Sequence, residues 1–258
     1  MKLVRGRPKL LKPKKYHYCS GCGHSIVHNL MLELIEELDI ADRTIGVAPA
    51  GCAVLAYDYM DVDIVESAHG RGPAIATGIK RSLPGAFVFT YQGDGDLAAI
   101  GTAESIHAAA RGEQILTVFI NNGIYGMTGG QMAPTTLQGM RATTAPEGRS
   151  PSREGHTLDL SALLAQIPGV VYAQRVTVNS PKAIRQTKKA LETAIRCQLE
   201  GEPGLALIEV LSMCPTNWKK SPLESCVWID EVMSKSFPLG VLVDRRKNAK
   251  KTAAPNAD

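Results

Sequence analysis

Two continuous apolar runs, each followed by a short polar sequence, constrain the fold of this chain more than any other feature. The runs AFVFTY at 86–91 and ILTVFI at 115–120 contain no alternation of apolar and charged residues. Strands of this kind are buried on both faces, which is typical of a parallel sheet covered by helices. Segments with apolar residues at helical spacing lie between such runs, at 24–40, 74–81, 97–111, 158–166 and 181–199. The sequence therefore predicts an α/β fold, a largely parallel sheet with helices on both faces.

Shorter apolar stretches complete the predicted sheet. They lie at 43–48, 62–67, 170–176 and 205–211. A segment rich in Gly, Thr, Pro and Ser at 128–157 predicts a long loop, and long loops in compact domains are commonly functional. A short helix is predicted after Cys214.

The positive charge of the chain is concentrated at its two ends. Residues 1–15 carry seven Lys or Arg and no acid, and 245–251 reads RRKNAKK, within a net charge of +4. We therefore expect a basic arm at 1–15, one domain at 16–243 and a basic, solvated tail at 244–258. No apolar run has the length of a membrane span or the form of a signal peptide, so a cytoplasmic protein without a membrane partner is expected. No nucleic-acid-binding motif is present, and the basic ends would suit an acidic protein partner equally well.

The polar sequences that follow the two apolar runs predict a metal and phosphate site. Gly93-Asp94-Gly95-Asp96 follows the first run, and Asn121-Asn122-Gly123 follows the second. Neighbouring parallel strands end at the same edge of a sheet, so Asp94 and Asn122 are expected to lie close together. Carboxylate and amide oxygens suit Mg²⁺. The glycines and the helix start after Asp96 would allow backbone N–H groups to approach a diphosphate.

Four of the six cysteines occur in predicted loops. Cys19 and Cys22 form a C-x-x-C sequence, while Cys52 and Cys214 each follow a predicted strand. Four thiolates can bind zinc or a 4Fe–4S cluster, and the spacing alone leaves both open, although dispersed single cysteines favour the cluster. The remaining two, at 197 and 226, are predicted to be structural thiols.

Several of these motifs together resemble a known family. The GDG sequence, followed about 25 residues later by NN, resembles the diphosphate-binding motif of thiamine-diphosphate enzymes. The sequences CSGCGH at 19–24, GC at 51–52, AHGRG at 68–72, NNGIYGMTGGQMAPTT at 121–136 and CPT at 214–216 resemble the β subunit of 2-oxoacid:ferredoxin oxidoreductases. The resemblance extends over 16–243. Ser20 stands where family members often have proline, which removes a rigid turn residue but no metal ligand.

The resemblance implies the cofactors and the residues that bind them. It implies thiamine diphosphate, held by Mg²⁺ on Asp94, Asn122 and the backbone carbonyl of Ile124, and a 4Fe–4S cluster held by Cys19, Cys22, Cys52 and Cys214. The residues implied around the thiamine cofactor are Ala50, Gly51, Cys52, Ala53, His69, Gly93, Asp94, Gly95, Asp96, Asn122, Ile124, Gly126, Met127 and Thr128.

The resemblance also implies a reaction and its partners. It implies coenzyme A-dependent oxidative decarboxylation of a 2-oxo acid, with electrons passed to ferredoxin. The residues within the motifs favour 2-oxoglutarate as the substrate, with branched-chain 2-oxo acids and pyruvate as alternatives. The Glu that activates the cofactor is expected on a partner α subunit, and γ and small ferredoxin-like subunits are possible further partners. Glu104 is interpreted as a structural helix residue.

Three functions from other classes remain open at this point. The chain could be a cluster-free thiamine-dependent decarboxylase subunit with structural cysteines, or a non-catalytic interaction protein that binds a metal. A zinc-ribbon nucleic-acid-binding protein is the third, although it would leave Asp94 and Asn122 without a purpose. A brown protein that bleaches on reduction would favour the oxidoreductase, and a colourless, zinc-loaded protein would favour the others.

Overall fold

The structure, a computed structural model, describes residues 6–201 and 203–246 and contains a seven-stranded sheet. The strands in chain order are β1 (Thr44–Ala48), β2 (Asp63–Glu66), β3 (Phe87–Gly93), β4 (Leu116–Asn121), β5 (Ile124–Tyr125), β6 (Gln131–Met132), β7 (Val170–Thr177), β8 (Leu205–Leu211) and β9 (Gly240–Asp244). The large sheet has the order β2-β1-β3-β4-β8-β7-β9, and β5 pairs with β6 separately. All neighbours in the large sheet are parallel except β9, which is antiparallel to β7.

Helices cover both faces of the large sheet. The helices are α1 (His24–Glu37), α2 (Gly72–Ser82), α3 (Thr102–Arg111), α4 (Pro151–Glu154), α5 (Leu160–Ala165), α6 (Pro181–Leu199), α7 (Pro215–Trp218), α8 (Pro222–Trp228) and α9 (Ser234–Ser236). Helices α1 and α6 pack in one hydrophobic cluster, and α2, α3 and α5 pack in the other. Among the described residues, no helix is long and apolar enough to cross a bilayer.

Successive residues of the central strands belong to opposite cores, as the two-residue period of a strand requires. In β4, Leu116, Val118 and Ile120 join the α1/α6 core, whereas Phe119 joins the α2/α3/α5 core. Every position of β4 is buried, as expected for a central strand covered on both faces. The predicted α/β fold with a largely parallel sheet is confirmed.

The helix predicted at 97–111 is not continuous. A π-helical segment, Gly95–Ile100, precedes α3, and the N–H of Gly101 donates to the carbonyl of Asp96 at 2.8 Å. A side chain at position 101 would lie 2.7 Å from the carbonyl oxygen of Gly70, so the backbones approach closely there. The wider turn therefore accommodates the loop before α2.

Some residues of the predicted arms contact the rest of the domain. Leu11 is buried and forms a bridge with Met60, and the N–H of Lys12 donates to the carbonyl of Tyr59 at 2.9 Å. Arg245 donates to the carbonyl of Val170 at 2.6 Å. The expectations for residues 1–5 and 247–258 lie outside the described residues.

Candidate cofactor-binding site

The two polar sequences predicted to meet do so at the carboxyl edge of β3 and β4. The N–H of Ile124 donates to Asp94 Oδ2 at 3.0 Å and to Asn122 Oδ1 at 3.2 Å. Both predicted side-chain ligands of Mg²⁺ therefore lie around a single backbone nitrogen. The structure brings Asp94, Asn122 and Ile124 together, and the donor set of carboxylate and amide oxygens fits a hard cation. Their role as metal ligands stays a prediction.

Asp94 is buried, and its environment opposes ionisation. Burial raises the pKa of its carboxyl group to about 6, although hydrogen bonds from Thr135, Gly95, Ile124 and Gly123 act in the opposite direction. The hydroxyl of Thr135 donates to Oδ2 at 3.0 Å, and the N–H of Gly95 donates to Oδ1 at 2.8 Å. A cation at this carboxylate would offset the cost of its burial.

A cavity of about 250 Å³ opens at this edge of the sheet. Every residue that the resemblance implies around the thiamine cofactor lines it: Ala50, Gly51, Cys52, Ala53, His69, Gly93, Asp94, Gly95, Asp96, Asn122, Ile124, Gly126, Met127 and Thr128. They come from loops after β1, β2, β3 and β4, so the fold gathers them from distant parts of the sequence.

Two lining residues, His24 and Tyr125, were not predicted. His24 begins α1, and its Nδ1 lies 2.9 Å from the hydroxyl of Tyr91. The ring of Tyr125 packs against Gly95, where a side chain would collide with it, and its hydroxyl donates to the carbonyl of Gly95 at 3.1 Å. The positions of both within the CGH and GIYG motifs were the available signals.

His69 is held at the cavity by Asp96. The Nδ1 of His69 contacts the Asp96 carboxylate, which also accepts the N–H of Gly70 at 2.7 Å and the side-chain amide of Gln92. A carboxylate only accepts hydrogen bonds, so Nδ1 carries the proton and Nε2 is left for other contacts. Burial raises the pKa of Asp96.

The four predicted cluster ligands also lie together. Burial is the main cause that raises the pKa of the Cys22 and Cys52 thiols to about 12 and raises that of Cys214. Charge repulsion among the thiols adds to this, and it acts between every pair of Cys19, Cys22, Cys52 and Cys214. Each of the four thiols therefore lies within electrostatic range of the other three, and we call this set the thiol cluster.

Two sulfurs of the thiol cluster lie on the same side of Gly126. A side chain at Gly126 would begin 3.3 Å from Cys52 Sγ and 3.7 Å from Cys214 Sγ, so these two sulfurs are at most about 7 Å apart. In the described ranges, no three His, Cys, Asp or Glu side chains converge closely enough to hold one metal ion.

The cavity and the thiol cluster share a wall. Cys52 and Gly126 line the cavity, and a side chain at position 126 would meet the sulfurs of Cys52 and Cys214. The charge of Asp94 further raises the pKa of both thiols. The diphosphate-type site and the thiol cluster are therefore direct neighbours.

The residues predicted to be structural lie apart from both sites. Cys197 is buried in α6 and Cys226 lies in α8; neither lines the cavity. Glu104 lies in α3, forms an ion pair with Arg71 and does not line the cavity. This placement agrees with the structural interpretation of all three.

Comparison with known proteins supports the family that the motifs indicate. Residues 50–210 match the family described as thiamine pyrophosphate enzyme, C-terminal TPP binding domain. The chain is 42% identical over 201 residues to "2-oxoglutarate synthase subunit KorB" of Methanocaldococcus jannaschii, covering 77% of this chain and 69% of that protein. The chain belongs to the family of 2-oxoacid:ferredoxin oxidoreductase β subunits. The predicted family is confirmed.

Other relatives of this family differ in length and in the substrate named. The chain is 47% identical over 233 residues to "Ketoisovalerate oxidoreductase subunit VorA" of Methanothermobacter thermautotrophicus, covering 90% of this chain and 49% of that protein. The chain thus spans about half the length of the VorA relatives it matches.

A solved structure of the same family has a similar fold. A 2-oxoglutarate:ferredoxin oxidoreductase from Magnetococcus marinus, with 2-oxoglutarate, coenzyme A and succinyl-CoA bound, matches with a TM-score of 0.71 and 28% identity. The match covers 83% of this chain and 70% of that chain. The family assignment thus agrees with sequence motifs, fold and structural similarity.

Proposed function

We propose that this chain is the β subunit of a 2-oxoacid:ferredoxin oxidoreductase that binds thiamine diphosphate with Mg²⁺ and one 4Fe–4S cluster. The single observation that carries the proposal is the shared wall between the cavity and the thiol cluster, formed by Cys52 and Gly126. A cofactor-bound substrate that is oxidised by single electrons needs an electron acceptor within a short distance. An iron–sulfur cluster bound by the thiol cluster would lie next to the cavity.

In the proposed complex, Asp94, Asn122 and the carbonyl of Ile124 hold Mg²⁺, and the thiol cluster holds the iron. When bound, thiamine diphosphate supplies the carbanion chemistry of decarboxylation, and the 4Fe–4S cluster accepts electrons. Gly95 lets the Tyr125 ring approach the backbone at the cavity, which fixes that wall. His69, oriented by Asp96, lines the cavity in which the diphosphate would lie.

The chain's own residues do not supply a complete catalytic site. The carboxylates that line the cavity are Asp94 and Asp96, and no Glu of the described chain lines it. The family requires a Glu to activate the cofactor, so we infer that a partner α subunit contributes it. The γ and ferredoxin-like subunits, coenzyme A and ferredoxin itself, and the cytoplasmic location, remain predictions of the same proposal.

For the substrate, we now propose a branched-chain 2-oxo acid ahead of 2-oxoglutarate. The residues within the motifs favour 2-oxoglutarate. However, the chain is 47% identical to the relative named for ketoisovalerate, compared with 42% for the relative named for 2-oxoglutarate. Pyruvate is the third alternative. Fold and cofactor do not choose the substrate side chain, so the test must be made on the assembled enzyme.

The test is turnover by the anaerobically purified complex with 2-oxoisovalerate, 2-oxoglutarate and pyruvate. We expect coenzyme A-dependent ferredoxin reduction, with the highest kcat/KM for 2-oxoisovalerate. Decarboxylation without ferredoxin reduction would support the cluster-free decarboxylase instead. A colourless protein that contains zinc and no thiamine diphosphate would contradict the proposal and support a metal-binding interaction protein.

A further inference from the structure

A carboxylate is buried in the middle of the sheet, next to the proposed magnesium loop. Glu209 lies in β8, between β4 and β7, and is 1% exposed. Its Oε2 accepts from Nε of Arg175, also 1% exposed, at 2.6 Å, and its Oε1 accepts from the Asn121 side-chain amide at 2.7 Å. One oxygen of Glu209 therefore faces a fixed cation and the other faces the last residue of β4.

Asn121 transmits this position to the loop that follows. Its Oδ1 accepts from the N–H of Gly123 at 3.1 Å, and its backbone carbonyl accepts from the N–H of Ser212 at 2.9 Å. Gly123 has φ +69°, so the chain turns sharply there. The residues on either side of Gly123 are Asn122 and Ile124, the proposed ligands of Mg²⁺. The amide of Asn121 is thus held at both ends, with Glu209 on one side and the turn on the other.

Arg175 is itself fixed by groups from two further segments. Its guanidinium contacts Asp159, which caps α5 by accepting the N–H of Ala162 at 2.9 Å. It also donates to the carbonyl of Pro238 at 3.3 Å and lies 5.2 Å from the centre of the Phe237 ring. Glu209 therefore has a partner that cannot rotate away.

A contribution to folding stability does not by itself explain why Glu209 and Arg175 are buried here. A buried ion pair is often no more stabilising than apolar residues of similar volume, because both charges lose their hydration. The strand register places Glu209 opposite Phe119 in β4, and Asn121 is the next residue on the same face. On this face of the sheet, the β4 residue before Asn121 is the apolar Phe119. The hydrogen bonds from Glu209 through Asn121 lead to the loop that carries the proposed magnesium ligands.

We propose that Glu209 is a positioning residue for the cofactor, acting through Asn121 on the loop that carries Asn122 and Ile124. This inference rests on the proposed function. Outer groups that orient metal ligands commonly change metal affinity about 10–100-fold when they are removed. We expect the acceptor oxygen of Glu209, rather than its charge, to set the affinity for the magnesium-bound cofactor.

Two double variants separate the acceptor from the charge. Arg175→Met with Glu209→Gln removes both charges but keeps an oxygen acceptor for Asn121. Arg175→Met with Glu209→Leu removes both charges and the acceptor. The measurement is the Mg²⁺-dependent Kd of thiamine diphosphate for the purified complex, by calorimetry, together with Tm. We expect the Leu variant to bind about 10–100-fold more weakly and the Gln variant to stay within about threefold of wild type.

Glu113 provides the matched control. It is 5% exposed, accepts from Arg81 at 2.6 Å and from Arg111 at 2.7 Å, and lies before the amino end of β4, away from the cavity. Glu113→Gln should lower Tm and leave Kd unchanged. Equal Kd values for the two double variants, or a loss of affinity in Glu113→Gln that matches its loss of Tm, would overturn the inference alone. Absence of Mg²⁺-dependent binding by the wild-type complex would overturn the proposed function as well.

Discussion

The carboxyl group of Asp94 is buried at the end of β3, and this burial raises its pKa to about 6. The folded chain therefore holds this proton more tightly than the unfolded chain does. As pH rises from about 4 to about 6, Asp94 loses the proton. The free energy of unfolding of the cofactor-free protein then falls by up to about 3 kcal/mol. Magnesium requires the opposite state, the carboxylate, so the empty protein and the loaded protein respond to pH in opposite directions.

Cofactor affinity should therefore depend on pH through Asp94. We expect the Mg²⁺-dependent affinity for thiamine diphosphate to fall about tenfold per pH unit below about pH 6 and to stay nearly constant above it. Calorimetric titrations of wild type and Asp94→Asn between pH 5 and 8 measure this. The titration of the cofactor's own phosphate affects both proteins equally, so their difference isolates Asp94. Parallel profiles for the two proteins would show that Asp94 does not control binding.

The cysteines provide a second test at the same scale. Cys214→Ser removes one thiolate from the thiol cluster, and we expect the purified protein to lose most of its iron and its broad visible absorbance. Cys226→Ser is the control, because that thiol lies in α8, outside the thiol cluster. Iron and acid-labile sulfide analysis of both variants, purified without oxygen, is the measurement. Equal iron content in the two variants would remove Cys214 from the proposed ligand set.

At the scale of elements, the sequence predicted most strands and helices within one or two residues. Strands such as β4 and β8 are mostly apolar and fully buried, and α6 has the predicted bounds 181–199. These patterns can be read locally, because a central strand is buried on both faces and a covering helix on one. The antiparallel strand β9 was not predicted, because its burial is uneven and its partner β7 lies about 65 residues earlier. The break before α3 was missed because it depends on contact with Gly70.

The same distinction applies to the site. The motifs predicted the residues that line the cavity and the thiols that cluster, because short sequences carry them. Neither Glu209 nor Arg175 lies in such a motif, and their contact with Asn121 exists only through strand pairing. The position of Tyr125 at the cavity was missed for a similar reason, since its ring occupies the space that a side chain at Gly95 would fill.

The C-x-x-C loop is positioned by contact with a distant helix. Gly21 has φ +82°, and a side chain there would lie 2.5 Å from Cβ of Pro222, the first residue of α8. Gly155 has a similar φ of +75° with nothing within 4 Å. Gly21→Ala should lower the free energy of unfolding by about 2–5 kcal/mol, from backbone strain plus the collision.

The control Gly155→Ala carries the backbone strain alone, about 1–3 kcal/mol, because Gly155 at φ +75° and ψ −176° occupies a region that side chains rarely adopt. Denaturant unfolding of both variants under anaerobic conditions measures the difference. Equal losses in the two variants would mean that α8 does not hold the loop of Cys19 and Cys22.

At the scale of the whole molecule, we expect the cavity to require a second chain to become an active site. No Glu of the described residues lines it. We expect the isolated chain to bind the cofactor but to turn over 2-oxo acids at less than about 1% of the rate of the complex, because activation through a positioned acid–base group contributes about 10²–10⁴-fold. Steady-state assays with and without the partner subunit measure this. Full activity from the isolated chain would contradict the divided site.

The most direct test of the account is an anaerobic crystal structure of the protein loaded with Mg²⁺ and thiamine diphosphate, with diffraction data collected at the iron edge. We expect the diphosphate and its metal at Asp94 and Asn122, and the iron signal among the sulfurs of Cys19, Cys22, Cys52 and Cys214, on the other side of the wall formed by Cys52 and Gly126. A diphosphate bound elsewhere, or an iron signal absent from these four sulfurs, would contradict it.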